Sequence, residues 1–78
     1  MSAVKDFVEY VAKALADEPE KVAVSEIEGE STLTLELRVS EQDMGRMIGR
    51  DGRTINAIRA LARVLGAKQG KRVTLEIV

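Results

Sequence analysis

The sequence predicts a two-layer α+β domain, with three helices on one face of a three-stranded mixed sheet in the order α-β-β-α-α-β. Three observations carry this prediction. Apolar residues at helical spacing open the chain, and two stretches with period-two alternation lie in its middle and at its end. Between those stretches, two further helical stripes are joined by closely spaced glycines. The 78 residues form one domain, 1–78, with 45% hydrophobic content, enough for a single small core. Phe7 and Tyr10 are its only aromatic residues, so that core is aliphatic.

Val4, Phe7, Val8, Val11, Ala14 and Leu15 repeat every three or four residues, with Ser2 available as an N-cap. Asp17, Glu18 and Pro19 break the pattern and end this helix near Ala16. Val22–Glu28 is apolar and β-branched at Val22, Val24 and Ile27, and Gly29-Glu30 is read as a two-residue hairpin turn. The next strand alternates cleanly, Leu33, Leu35, Leu37 and Val39 against Thr32, Thr34, Glu36 and Arg38, which predicts one buried and one wet face. Ser40 and Asp43 have the spacing of a capping box. They introduce a short helix expected to bury Met44, Met47 and Ile48. After Gly49-Arg50-Asp51-Gly52, a longer helix is expected to bury Ile55, Ile58, Leu61, Ala62 and Leu65. Its polar face holds Arg53, Asn56, Arg59 and Arg63, and Gly66 marks its expected stop. Val73, Leu75 and Ile77 alternate as a last strand. The first two strands form an antiparallel hairpin. The third returns across two helices, a connection long enough to pair it in parallel beside the second.

Composition excludes several function classes. The chain has neither Cys nor His, which removes disulfides, thiolate and imidazole catalysis and the common zinc sites, so neither a metal nor a cofactor is expected. With those residues absent and no base placed beside any serine, the chain is read as not an enzyme. No apolar run approaches the ~20 residues of a membrane span, and no basic segment followed by an apolar one opens the chain. A cytoplasmic protein without a membrane partner is expected. The net charge of −1 hides a division. Residues 1–37 carry three bases against nine acids, whereas residues 38–78 carry nine bases, seven of them Arg, against four acids. That asymmetry fits a polyanion partner on the basic side as well as it fits a bipolar solvated surface.

The basic half is organised around Gly49 and Gly52. Backbone N–H groups at the start of a helix favour an anion, and Arg46, Arg50, Arg53 and Arg59 lie within reach of a bound phosphate. Taken alone, a Gly-x-x-Gly also fits an ordinary helix stop, with Gly49 as terminator and Asp51 as N-cap. Neither the P-loop nor the dinucleotide fingerprint fits this glycine spacing.

Ile48-Gly49-Arg50-Asp51-Gly52 followed by Ile55, set between two helices, resembles the signature of the KH domain. The element order is similar to the bacterial, type II arrangement, and the length and acidic first helix are similar to the KhpA family of small single-KH proteins. The resemblance implies single-stranded RNA held in a narrow cleft. It implies that the Gly49–Gly52 loop clamps the backbone, that Ile48 and Ile55 form an apolar floor under the bases, and that Arg50 contacts phosphate. It extends to Arg38 at the end of the second strand. Asp51 sets a carboxylate near the phosphate, and the lack of aromatics removes base stacking, so modest and salt-sensitive affinity is expected. The resemblance also implies pairing, as a homodimer or as a heterodimer with a KhpB-like KH protein. It further implies roles in RNA chaperoning, cell elongation and envelope synthesis. The rival reading is a dimerisation module with little RNA affinity, using Met44, Met47 or the outer side of the second motif helix.

Overall fold

A computed structural model describes residues 3–78. Helix α1 (Ala3–Leu15) leads through a 3₁₀ turn (Pro19–Lys21) into strands β1 (Ala23–Glu28) and β2 (Thr32–Arg38). Helix α2 (Glu41–Ile48), a second 3₁₀ turn (Arg50–Gly52), helix α3 (Arg53–Lys68) and strand β3 (Arg72–Ile77) complete the chain. The N-cap expected at Ser2 lies outside the described residues.

The sheet has the order β1-β2-β3. β1 pairs antiparallel with β2, setting Val24 against Leu37, and β2 pairs in parallel with β3, setting Leu35 against Leu75. All three helices lie on one face, as the alternation in β2 requires. Leu33, Leu35, Leu37 and Leu75 are buried beneath Val4, Val8, Ala12, Met47, Ile55, Ile58 and Ala62. Burying each of these Val, Leu, Ile and Met side chains contributes roughly 1.5–3 kcal/mol, so a mainly aliphatic layer holds this small fold, with half-buried Phe7 packed against it.

Three local expectations are corrected. The register pairs Glu28 with Leu33, and the Gly29 N–H donates to the Thr32 carbonyl at 2.8 Å, which places Glu30-Ser31 at the centre of the hairpin. The turn therefore lies one residue beyond Gly29-Glu30. The longer helix does not stop at Gly66, which is buried within it and packed so closely on β3 that a Cβ there would overlap the Val73 side chain. The stop comes at Gly70, with φ +72°. There the Lys71 N–H donates to the Gly66 carbonyl and the Gly70 N–H to the Ala67 carbonyl, a Schellman closure. Leu61, expected in the core, is 54% exposed. The α1–α3 seam stays open beside it, so this leucine borders a groove instead of filling the interior. Of the two methionines expected to be buried by the short helix, Met47 is fully buried in the core, whereas Met44 is only half-buried and lies outside it.

Candidate nucleic-acid interface

Helix α2 carries the glycine bend at its C-terminal end, and its N-terminal end is fixed by a hydrogen-bonded anchor. Ser40 caps the helix, its hydroxyl oxygen accepting from the Asp43 N–H at 3.2 Å. The Asp43 side chain does not return to the Ser40 backbone as a capping box would. It is fully buried, and its carboxylate accepts the N–H groups of Asp17 and Glu18, each at 2.9 Å, and the Ser40 hydroxyl at 3.2 Å. The two backbone donors hold its pKa below the usual carboxylate range, against the opposing effect of burial. Arg46 adds an exposed ion pair to Asp17 at 3.0 Å. The short helix is thereby tied to the segment that follows α1.

The bend departs sharply from helical geometry. Gly49 has φ +77° and ψ 174°, Asp51 φ 56° and ψ 26°, and Gly52 φ 75° and ψ 14°. The Gly49 conformation is open essentially to glycine alone, while Asp is among the few side chains that tolerate the left-handed region. A Cβ on Gly49 would overlap the Thr54 hydroxyl and sit 2.8 Å from the Thr54 backbone nitrogen. The first turn of α3 thus presses directly on the bend, which is why the two helices need no longer connection.

The donor cluster at this bend is smaller than the sequence predicts. The Gly49 N–H is held by the Gly45 carbonyl at 2.9 Å, that of Gly52 by the Gly49 carbonyl at 3.2 Å, and that of Arg53 by the Arg50 carbonyl. Anion contacts consequently fall to side chains and to the remaining first-turn amides of α3, whose N-cap Gly52 supplies no side-chain bond. Asp51 does not cap α3 either. Arg50 and Arg53 are exposed and, among the described residues, make no ion pair or side-chain hydrogen bond.

The remaining candidate residues separate clearly. Ile48, expected to be buried by the short helix, is instead 36% exposed beside the bend, because the helix ends there, and offers apolar surface, whereas Ile55 is buried in the core. Arg46 is paired with Asp17. Arg59 is turned away from a phosphate role, its Nε and Nη2 donating to the Leu75 carbonyl at 3.2 and 3.0 Å and its Nη1 to Asn56 Oδ1 at 2.7 Å. Arg38 alternates with buried Leu37 and so lies on the wet face of the sheet, opposite the helices and the bend. The structure brings Ile48, Gly49, Arg50, Asp51, Gly52 and Arg53 together and leaves Arg38 apart. Among the described residues, no group of acidic, His or Cys side chains could hold a metal ion.

A helix, a Gly-x-x-Gly bend and a second helix laid on a mixed sheet in the order α-β-β-α-α-β define a type II KH domain. The family model described as KhpA/KhpB, KH domain matches residues 5–77. The chain belongs to the KhpA/KhpB family of KH domains. It is 51% identical to the RNA-binding protein KhpA of Aquifex aeolicus over 78 residues, covering 100% of this chain and 99% of that one. It is 45% identical to the RNA-binding protein KhpA of Clostridium perfringens over 75 residues, covering 96% and 100%. Among solved structures, it is similar to Era in complex with MgGDPNP and a segment of 16S ribosomal RNA, with a TM-score of 0.65 and 28% identity. The match covers 95% of this chain and 28% of that one, so the likeness concerns one part of a longer protein. Era of Aquifex aeolicus bound to GDP and aluminium fluoride gives a TM-score of 0.68 at 26% identity, covering 95% and 29%.

Proposed function

We propose that this chain binds single-stranded RNA without catalysing a reaction, seating the sugar-phosphate backbone against the Gly49–Gly52 bend. The observation that carries the reading is an exposed, glycine-dependent bend bearing the guanidinium groups of Arg50 and Arg53, which are unpaired among the described residues. Guanidinium forks suit bidentate contact with phosphate, and glycines let a strand approach the backbone closely. Ile48 supplies the apolar surface for a neighbouring base. The names of the relatives support the same reading. A post-transcriptional role in the cytoplasm, as an RNA chaperone acting with a KhpB-like partner and bearing on cell elongation and envelope homeostasis, belongs to this proposal. It rests on family membership. Among the described residues, no helix is long and apolar enough to cross a membrane.

The test is a fluorescence titration with short unstructured RNA. Affinity is expected to fall with salt at a log–log slope of about −0.7 per phosphate contacted. Arg50→Asp is expected to lower affinity at least about tenfold with no loss of thermal stability, and Gly52→Asp to do the same at a modest cost in stability. A flat salt response together with full affinity in Arg50→Asp would reject the assignment.

A second reading, pairing with another copy or with a KhpB-like protein, has its own support. Phe7, Val11, Leu15, Ala57 and Leu61 line an open apolar groove of ≈ 400 Å³ between α1 and α3. Leu61 and Val64 are 54% and 61% exposed on the outer side of α3. If two copies meet there, Leu61→Glu lowers the mass measured by light scattering from that of a dimer to that of a monomer. An unchanged mass would remove this face from consideration.

A further inference from the structure

Asn56 lies one turn into α3, exposed and next to the bend, and two contacts fix how its amide is oriented. A guanidinium carries only donors, so the Asn56 atom facing Arg59 Nη1 at 2.7 Å is the carbonyl oxygen. Arg59 is itself braced against β3 through its two bonds to the Leu75 carbonyl. The amide therefore cannot reverse without losing a hydrogen bond, which fixes its Nδ2 hydrogens on the side away from Arg59. That nitrogen adjoins the end of the bend, since a Cβ on Gly52 would come to 3.3 Å from it. Among the described residues, the Nδ2 hydrogens have no acceptor. An oriented pair of donors thus stands at the bend, three residues after Arg53 and on the same side of the helix.

We propose that Asn56 is an RNA-contacting residue whose oriented Nδ2 group donates to an oxygen acceptor of the bound strand beside Gly52. This inference rests on the RNA-binding reading above. A phosphate oxygen and a base carbonyl share the required chemistry. Adenine has no carbonyl and uracil has two, so oligo(A) and oligo(U) separate these sources.

The experiment measures binding of oligo(A) and oligo(U) to the full chain and to two variants, with melting curves for each. Asn56→Ala removes the donors without adding charge and is expected to weaken binding several-fold. Asn56→Asp keeps an acceptor for Arg59, so the fold is retained, but turns a carboxylate toward the strand, and a loss of at least about tenfold is expected. Equal losses on both oligomers assign the sugar-phosphate backbone, while a loss confined to oligo(U) assigns the base. Wild-type affinity in Asn56→Ala overturns the proposal, because any loss in Asn56→Asp is then general repulsion. Failure of the unaltered chain to bind either oligomer overturns the RNA reading itself, a result distinct from the first.

Discussion

Gly49→Ala is expected to destabilise the domain by about 3 kcal/mol or more, against a total stability of roughly 4–12 kcal/mol for a chain of this length. Two separate effects contribute. The backbone at φ +77° and ψ 174° lies in a region nearly closed to residues with a Cβ. The new methyl would also overlap the Thr54 hydroxyl and crowd its backbone nitrogen, both fixed in the first turn of α3. Two neighbouring glycines provide internal comparisons. Among the described residues, Gly52→Ala meets only the Asn56 amide, at 3.3 Å, and has an ordinary left-handed conformation, so a loss of about 1 kcal/mol is expected. Gly45, inside α2 with nothing among the described residues within 4 Å of where a Cβ would lie, should give a gain of about 0.5–1 kcal/mol when replaced by Ala. Denaturant unfolding of the three variants checks the ranking. A Gly49→Ala variant no less stable than Gly52→Ala would show that the bend is not the constraint described.

Asp43→Asn carries the next largest expected effect. The carboxylate accepts three hydrogen bonds in a fully buried position, and an Asn amide would set its NH₂ group against one of the donors from which the carboxylate now accepts. A fall in Tm on the order of 10 °C is expected at neutral pH. The pH dependence is diagnostic. Because folding lowers the pKa of Asp43, its contribution is fully present above the unfolded carboxylate value of about 4 and is lost as pH falls through the lower folded value. Wild-type stability should therefore drop more steeply than that of the variant below about pH 4, and the two curves should converge in acid. Parallel curves across that range, recorded by thermal melts, would contradict the anchor. The same substitution loosens the N-terminal end of the helix that presents the bend.

The fold was legible because its periodicities are strong and local. Leu33, Leu35 and Leu37 point one way by strand geometry, and Val4, Val8 and Ala12 share a stripe by helix geometry. The mixed pairing followed from the length of the two-helix return. The bend at Gly49 and Gly52 was visible for the same reason, through two glycines between helical stripes. What sequence alone did not reveal depends on partners far along the chain. Spacing alone sets Asp43 against its own N-cap, three residues away, whereas its main donors lie at Asp17 and Glu18, in the segment after α1. Gly66 resembled a stop because glycines end helices, but its role is set by the approach of Val73. Arg59 counted as a free cation until β3 supplied the Leu75 carbonyl. Asn56 did carry a local signal, its three-residue spacing from an arginine, although only the fork held on β3 gives that spacing a direction.

The bonds from Arg59 to Leu75 have a bearing on self-assembly. β3 ends the sheet on one side, and a marginal strand with free backbone acceptors is a template for pairing with foreign chains. A guanidinium seated on a carbonyl midway along that strand interrupts the row of acceptors that an incoming ladder needs. The side chain therefore discourages amyloid-like stacking at this border, and shortening it would invite aggregation on prolonged storage at high concentration.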